Sequence, residues 1–150
     1  MFLRHRTQGI ILEKEDYKEA DQFFTVYTKD FGKIRILGKG IRKISSKLRS
    51  GMDVFYFSEI EFIQGRNYKT LVDAVLIDKF KNIRTDLEKT VIAYKILEVF
   101  DELIRGEEKD KKAWDLLSQS LKYLDDGKEQ RMVYYYFFWN FSVIVYFIHL

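Results

Sequence analysis

The chain has 150 residues, of which 47% are hydrophobic and 33% charged, a composition typical of folded globular proteins that excludes a disordered or fibrous chain. Its 26 basic and 23 acidic residues give a formal net charge of +3. The sequence contains no cysteine, which excludes disulfides, thiolate metal sites and cysteine nucleophiles and is typical of a reducing cytoplasm. Aromatic residues reach 17%, a high share that implies burial in a core, burial at an interface or stacking on a ligand.

Five short segments in the first half of the chain are predicted to be β-strands. They are rich in Ile, Val, Phe, Tyr and Thr, and several alternate apolar and polar side chains: residues 9–14, 22–28, 33–38, 54–63 and 68–77. Turn residues at 30–32 and 65–67 predict two hairpins. Five antiparallel strands favour a small closed barrel, because closure removes the exposed edges of a flat sheet.

From residue 81 onward the hydrophobic pattern becomes helical. Between residues 87 and 104, 11 of 18 positions are apolar. The next helix carries an apolar stripe at spacings of three and four, formed by Trp114, Leu117, Leu121 and Leu124. Residues 129–150 supply a third helix. The predicted fold class is therefore α+β, with a five-stranded barrel in residues 1–80 and a helical bundle in residues 81–150.

The last 19 residues, 132–150, contain no Asp, Glu, Lys or Arg and are just long enough to span a bilayer. The segment also holds Asn140, Ser142 and four tyrosines that are not confined to its two ends. These polar groups favour a buried helix. A membrane-associated protein with a tail anchor stays open as the alternative.

Positive charge is concentrated in the first half of the chain. Residues 1–80 contain 15 basic and 11 acidic residues, whereas residues 81–150 contain 11 and 12. Residues 31–52, here called the basic segment, carry seven basic and no acidic residues: Lys33, Arg35, Lys39, Arg42, Lys43, Lys47 and Arg49. With its interleaved Gly and Ser, the basic segment is predicted to be flexible and to bind nucleic acid through Coulomb attraction and counterion release. A solvated loop that only keeps the protein in solution is the alternative.

Aromatic residues flank the basic segment and are candidates for stacking on bases. An exposed ring on a basic surface contributes about 1–3 kcal/mol per stacked base. The candidates are Phe31, Phe55 and Tyr68, and two further cations beside Tyr68, Arg66 and Lys69, join the predicted DNA-binding residues. Because alternate side chains of a strand point inward, burial in the core is the alternative for each ring.

An ordered set of short motifs resembles the N-terminal domain of the RecO family of bacterial recombination mediators. The motifs are YKEAD at residues 17–21, TVYT at 25–28, GKIR at 32–35, GKGIRK at 38–43 and GMDVF at 51–55. The resemblance covers residues 5–80 well and continues weakly to residue 139. It implies an oligonucleotide-binding (OB) fold followed by a helical domain.

The resemblance also implies a function. Members of the family bind single- and double-stranded DNA, anneal complementary strands, and work with RecR and the single-stranded-DNA-binding protein to load RecA. By position, the seven cations of the basic segment match the family's DNA-contacting hairpin and loop. Many members carry a zinc-binding cysteine cluster after the first helices, and then further helices. This sequence stops near the point where that segment would begin, so it is expected to be either a truncated protein or a short form. The helical domain and its pocket for the partner's acidic tail are therefore expected to be incomplete, and zinc binding is unsupported.

No pattern of catalytic residues is present, so we predict no enzyme activity, no metal and no cofactor. His5 and His149 lie at opposite ends of the sequence without a metal-ligand spacing or a nucleophile partner, and no Gly-Lys-Ser/Thr phosphate loop occurs. Five acidic residues are predicted to form a solvated turn between the first two strands, with Asp21 as a turn acceptor: Glu13, Glu15, Asp16, Glu19 and Asp21.

The sequence thus predicts a cytoplasmic DNA-binding and strand-annealing mediator of recombinational DNA repair. Three alternatives remain open besides. One is a protein-interaction adaptor whose basic segment binds an acidic partner. The second is the tail-anchored membrane protein, and the third is an RNA-binding barrel.

Overall fold

The computed structural model describes residues 3–148, which divide into two compact units. The first unit contains the chain up to Lys79 together with Gly106–Lys109. The second contains Phe80–Arg105 and the chain from Asp110 onward.

The first unit is a closed barrel of five strands: β1 Arg4–Tyr17, β2 Asp21–Thr28, β3 Gly32–Gly38, β4 Phe57–Gln64 and β5 Lys69–Asp78. The strands follow one another around the barrel in the order β1, β2, β3, β5, β4, and β4 pairs back onto β1. All pairs are antiparallel except β3 with β5, which is parallel. This five-stranded barrel has the architecture of an OB fold, which confirms the predicted fold class.

Side-chain alternation fills the barrel interior. On β3, Ile34 and Ile36 are buried in the core, while Arg35 between them is exposed, as the alternating sequence predicts. On β2, Phe24 and Val26 are completely buried in the same cluster. Burial of these apolar side chains supplies the main driving force for closing the barrel.

Two strand boundaries differ from the prediction. β1 runs from Arg4 to Tyr17, well beyond the predicted residues 9–14, and contains a bulge between Ile11 and Glu13. β4 starts at Phe57 rather than at residue 54. The reason is that Phe55 adopts a left-handed backbone conformation with a φ of +73°, which interrupts an extended strand.

The second unit consists of four helices: α1 Lys81–Arg84, α2 Leu87–Leu103, α3 Lys111–Asp125 and α4 Gln130–Ile148. The carboxylate of Asp86 accepts a hydrogen bond from the backbone N–H of Lys89, and that of Asp110 from Ala113, so each aspartate caps the start of its helix. The helical character predicted for this half of the chain is confirmed.

Helix α4 is buried along one narrow stripe only. Val133, Phe137 and Phe141 are spaced four residues apart, and the ring of Phe141 stacks on that of Phe100 in α2. Much of the remaining surface is exposed, including Trp139 and Tyr146, so the expected burial of the whole segment 132–150 is wrong within the described part. None of the helices between residues 3 and 148 combines the length and the apolar character that crossing a membrane requires.

Two glycines of the first unit provide a matched test of packing. Gly32 and Gly40 both have a φ of +67°, but a Cβ on Gly32 would lie 2.5 Å from the backbone oxygen of Glu108, whereas the nearest atom to a Cβ on Gly40 is 3.8 Å away. We predict that Gly40→Ala costs about 1–2 kcal/mol of unfolding free energy. Gly32→Ala should cost about 1–3 kcal/mol more, because the backbone must move. Urea unfolding followed by circular dichroism measures both, and equal losses would contradict the packing shown at Gly32.

Candidate nucleic-acid interface

The strand registers bring two connections to one end of the barrel. Gln22 pairs with Gly38, which places the β1–β2 turn beside the end of β3 and the turn that follows it. We call this the loop end; it comprises residues 18–20 and 39–43, which are far apart in sequence and form one surface. The β4–β5 turn, residues 65–68, is not part of the loop end. Because Lys69 pairs in parallel with Ile36, the turn that precedes it lies beside the earlier part of β3.

The basic segment is anchored at the loop end by hydrogen bonds. The Asp21 carboxylate accepts a bond of 2.7 Å from the backbone N–H of Gly40, and the backbone N–H of Arg42 donates to the carbonyl of Ala20 at 2.9 Å. Ile41 is buried in the barrel core between them. These hydrogen bonds hold the turn at residues 39–43 of the segment that the sequence predicts to be flexible. The sequence predicts Asp21 as an acceptor in the turn between the first two strands, whereas its carboxylate accepts from Gly40 in the turn after β3.

The predicted DNA-binding cations fall into two groups by position. Lys33 lies at the other end of β3, where its backbone N–H donates to the carbonyl of Gly106. The others lie on the outer side of β3, at the loop end, along the rest of the basic segment, and at the β4–β5 turn with the start of β5. Most of them are exposed, and Lys69 is half-buried: Arg35, Lys39, Arg42, Lys43, Lys47, Arg49, Arg66 and Lys69.

Three of these cations form ion pairs. Arg35 lies 3.7 Å from Glu15, Arg42 lies 3.7 Å from Asp16, and Lys69 is hydrogen-bonded to Glu107. Within residues 3–148, no carboxylate lies at ion-pair distance from the remaining five, which are Lys39, Lys43, Lys47, Arg49 and Arg66. The acidic β1–β2 region therefore neutralises part of the positive charge and leaves most of the basic segment uncompensated.

Cations on the β1–β4 side of the barrel are arranged differently. Arg4 and Arg6 both donate hydrogen bonds to Glu61, at 2.9 and 3.1 Å. The hydrogen bond and the charge of Glu61 raise the pKa of the exposed Arg6 guanidinium. These two arginines are therefore matched to carboxylates within the sheet, in contrast to those of the basic segment.

The three predicted stacking residues have different surroundings. Phe55 is only 2% exposed, so the prediction that it stacks on bases is wrong; the left-handed turn before β4 directs this ring inward. Phe31 is half-buried at the opposite end of the barrel, where its ring packs edge-on against His5 and Phe62. Tyr68, in the β4–β5 turn, is 50% exposed and leaves a ring surface for a ligand.

Two aromatic residues that sequence reasoning missed lie beside Tyr68. The ring of Phe23 is 6.3 Å from that of Tyr68 and 4.8 Å from that of Tyr17, and Tyr17 is 41% exposed. The guanidinium of Arg35 lies 3.8 Å above the Phe23 ring, a cation–π contact. We call Tyr17, Phe23 and Tyr68 the aromatic cluster. Cross-strand register is the information that predicts this cluster. Phe23 is paired opposite Glu15, and Tyr17, two residues after Glu15 on β1, points to the same face.

The projecting part of the β1–β2 hairpin has two chemically different faces. We call residues 13–17 and 21–25 the ribbon. Tyr17 and Phe23 lie on its outer face, and so does Glu15, which is paired opposite Phe23. The opposite face, which we call the inner face, carries Lys14 and Phe24, and Phe24 belongs to the barrel core. Asp16 and Gln22, which are hydrogen-bonded to each other, lie on the same inner face. The predicted solvated acidic turn is thus divided between an aromatic side and a charged side.

The histidines supply no site in the described part of the chain. His5 packs against the rings of Phe31 and Phe62, and His149 lies outside the described residues. Between residues 3 and 148, no three His, Asp or Glu side chains come together in a way that could hold a metal ion.

Comparison with known proteins identifies the family. The family model described as "Recombination protein O N terminal" matches residues 1–80. A DNA repair protein RecO of Roseiflexus sp. (strain RS-1) is 32% identical over 123 residues, which are 82% of this chain and 43% of that protein. One from Moorella thermoacetica is 31% identical over 81% of this chain and 45% of its own, and one from Halalkalibacterium halodurans is 25% identical over 83% and 49%.

These matches confirm the resemblance carried by the motifs between residues 17 and 55. The chain spans about half the length of the curated relatives it matches. The matched residues 1–80 contain all five strands, the ribbon and the basic segment. Because the family model covers more than half of the sequence, this chain belongs to the RecO family.

Proposed function

We propose that this chain binds single-stranded DNA and serves recombinational DNA repair. The bound strand lies on the outer face of β2 and β3, on the loop end and on the β4–β5 turn. The observation that carries the proposal is the aromatic cluster, in which Tyr17 and Tyr68 are exposed and Phe23 is half-buried between them, beside uncompensated cations. OB folds bind oligonucleotides on the surface of strands 2 and 3 and on the loops that follow strands 1 and 4, where these rings lie.

Aromatic rings and cations have complementary roles in this site. Every base has a π-face, so stacking on Tyr17 or Tyr68 tolerates any sequence. Arg35 covers the ring of Phe23 and holds it in place between the two tyrosines. Lys39, Lys43 and the other uncompensated cations attract the phosphate backbone and release its counterions on binding. The site therefore favours sequence-independent binding.

Loose contacts of this kind support strand annealing. Two complementary strands repel each other through their phosphates, and a basic surface that neutralises part of both backbones lowers this repulsion. Sequence-tolerant stacking leaves the bases able to exchange partners until they find their complements. The proposed mechanism makes and breaks no covalent bond, so the proposed role is that of a mediator rather than an enzyme.

Family membership supports the wider role that we include in the proposal. The relatives are named DNA repair proteins. On the resemblance to the family, we propose action in the cytoplasm, with RecR and the single-stranded-DNA-binding protein as partners in loading RecA. An interaction adaptor and an RNA-binding barrel would use the same cations, and the measurements below separate them from DNA binding.

A groove between α3 and α4 supports an acidic peptide tail as a partner. It has a volume of about 590 Å³, and its walls include Tyr136, Trp139 and Lys112. Trp139 is 74% exposed and offers an apolar surface, while the Lys112 ammonium is placed for a carboxylate. Asp115 in the same wall is paired with Lys111 at 2.8 Å, which reduces its repulsion of an acidic ligand. The apolar groups of a peptide could thus pack on Trp139 while its acidic groups pair with Lys112.

Salt dependence tests the electrostatic part of the proposal. If about three to five phosphates of a single strand are bound, the logarithm of the association constant should fall against the logarithm of the salt concentration with a slope of about −2 to −3.5. Fluorescence anisotropy with a labelled DNA oligonucleotide measures this slope. A slope near zero would contradict the mechanism, and stronger competition by RNA than by DNA of the same sequence would favour the RNA-binding alternative.

The aromatic cluster has a prediction of its own. Tyr17→Ala and Tyr68→Ala should each weaken the binding of single-stranded DNA by about fivefold or more, because each removes one stacking surface. The salt slope should stay unchanged, since no phosphate contact is lost. Tyr17→Phe and Tyr68→Phe should retain affinity. Tyr135→Ala, which removes an exposed ring of α4, is the matched control; an equal loss in the control would contradict the placement of the site.

A further inference from the structure

A polar groove lies against the inner face of the ribbon, on the side away from the aromatic cluster. It has a volume of about 410 Å³ and is lined by cations from three separate elements. Lys14 comes from β1, Arg42 from the turn after β3, and Arg49 from the 3₁₀ turn at Arg49–Gly51. The fold therefore brings together three positively charged side chains that are up to 35 positions apart in the sequence.

The carboxylates around the groove leave one of these cations uncompensated. Asp53 pairs with Lys14 at 2.9 Å, and Asp16 lies 3.7 Å from Arg42. Over the described chain, no carboxylate is within ion-pair distance of the third cation, Arg49. Both ion pairs are substantially exposed, so each holds its cation only weakly and can be exchanged for an incoming anion.

The lining suits a phosphate group rather than a base. A guanidinium such as that of Arg49 donates two parallel hydrogen bonds that match the geometry of phosphate oxygens. Ile41 and Met52, which are buried in the barrel core, form part of the floor and keep water from one side of the groove. Exclusion of water on that side strengthens an electrostatic contact relative to one on an open surface.

We propose that this groove binds a phosphodiester group of a nucleic-acid strand, through Arg49 with Lys14 and Arg42, as a site separate from the aromatic cluster. The proposal rests on the proposed function, since it assumes that the chain binds nucleic acid. The two faces of the ribbon then carry different tasks: the outer face stacks bases and the inner face holds backbone. Lys14 enters the site although it lies outside the basic segment.

An oligonucleotide without bases tests the groove by itself. A fluorescently labelled abasic 12-mer presents phosphates but no ring to stack. Arg49→Ala should weaken its binding roughly three- to tenfold and make the salt slope shallower by about 0.7, the share of one phosphate on a single strand. Lys29→Ala, an exposed cation in the β2–β3 turn, is the matched control for the loss of one charge.

A second variant should have the opposite effect. Asp53→Asn removes the negative charge of the groove and releases Lys14, so the abasic 12-mer should bind roughly three- to tenfold more tightly. The asparagine side chain keeps the oxygen that accepts the hydrogen bond from the backbone N–H of Val54. Misfolding does not produce a gain in affinity, so the sign of this change separates binding from stability. Arg49→Lys should recover part of the lost affinity.

The outcomes separate the groove from the site on the outer face. If Arg49→Ala, Asp53→Asn and Lys29→Ala bind the abasic 12-mer equally, the groove proposal is overturned. Salt-dependent binding of ordinary DNA that is weakened by Tyr17→Ala would then leave the proposed function standing. If the unaltered protein binds neither oligonucleotide, the proposed function itself fails. Sensitivity of abasic binding to Arg49 and Asp53, together with insensitivity to Tyr17→Ala, supports two separate sites.

Discussion

Side-chain alternation along the β1–β2 ribbon is the constraint on which the candidate site depends. In a strand, successive side chains point to opposite faces, so one residue of slippage would exchange the two faces completely. The register observed here places Glu15 opposite Phe23 and Lys14 opposite Phe24. Phe24 is completely buried in the barrel core, and it fixes which face points inward. The aromatic outer face follows from the packing of that one interior residue.

The distribution of charge at the loop end follows from the same arrangement. Acidic residues of the ribbon approach two cations, Arg35 and Arg42, each at 3.7 Å. Ion pairs of this length between exposed side chains contribute about 0–1 kcal/mol and are screened by salt. A polyanion competes with them readily, because it brings many phosphates at once and releases counterions. The paired cations therefore remain available to DNA, and the carboxylates serve to orient them.

The sequence predicts a large part of the fold for clear physical reasons. Alternating β-branched and aromatic residues mark the strands, and Gly–Arg–Asn at residues 65–67 marks a hairpin that is observed. The burial of Phe55 could not be predicted in this way, because nothing in the local sequence indicates a left-handed conformation at a phenylalanine. Its burial depends on the backbone hydrogen bond of 3.0 Å that it donates to Ile11, which is distant in sequence.

The aromatic cluster and the groove could not be predicted from the sequence either, because both are formed by long-range contacts. Tyr17 and Phe23 precede the basic segment, and a search for rings beside the seven cations does not reach them. Lys14 lies among acidic residues and carries no sign of a basic site. Only the pairing of β1 with β2 and the docking of Arg42 on the carbonyl of Ala20 bring these residues to the loop end. Both contacts are long-range, and local patterns do not encode them.

Photo-crosslinking tests the central claim most directly, namely that DNA bases lie on the outer face of the ribbon. A single-stranded oligonucleotide with 5-iododeoxyuridine forms covalent bonds to aromatic side chains that stack on the modified base, and mass spectrometry of the digested complex identifies them. The account predicts crosslinks at Tyr17 and Tyr68 that disappear at high salt. Crosslinks confined to the exposed rings of α4, such as Trp139 and Tyr146, would contradict it.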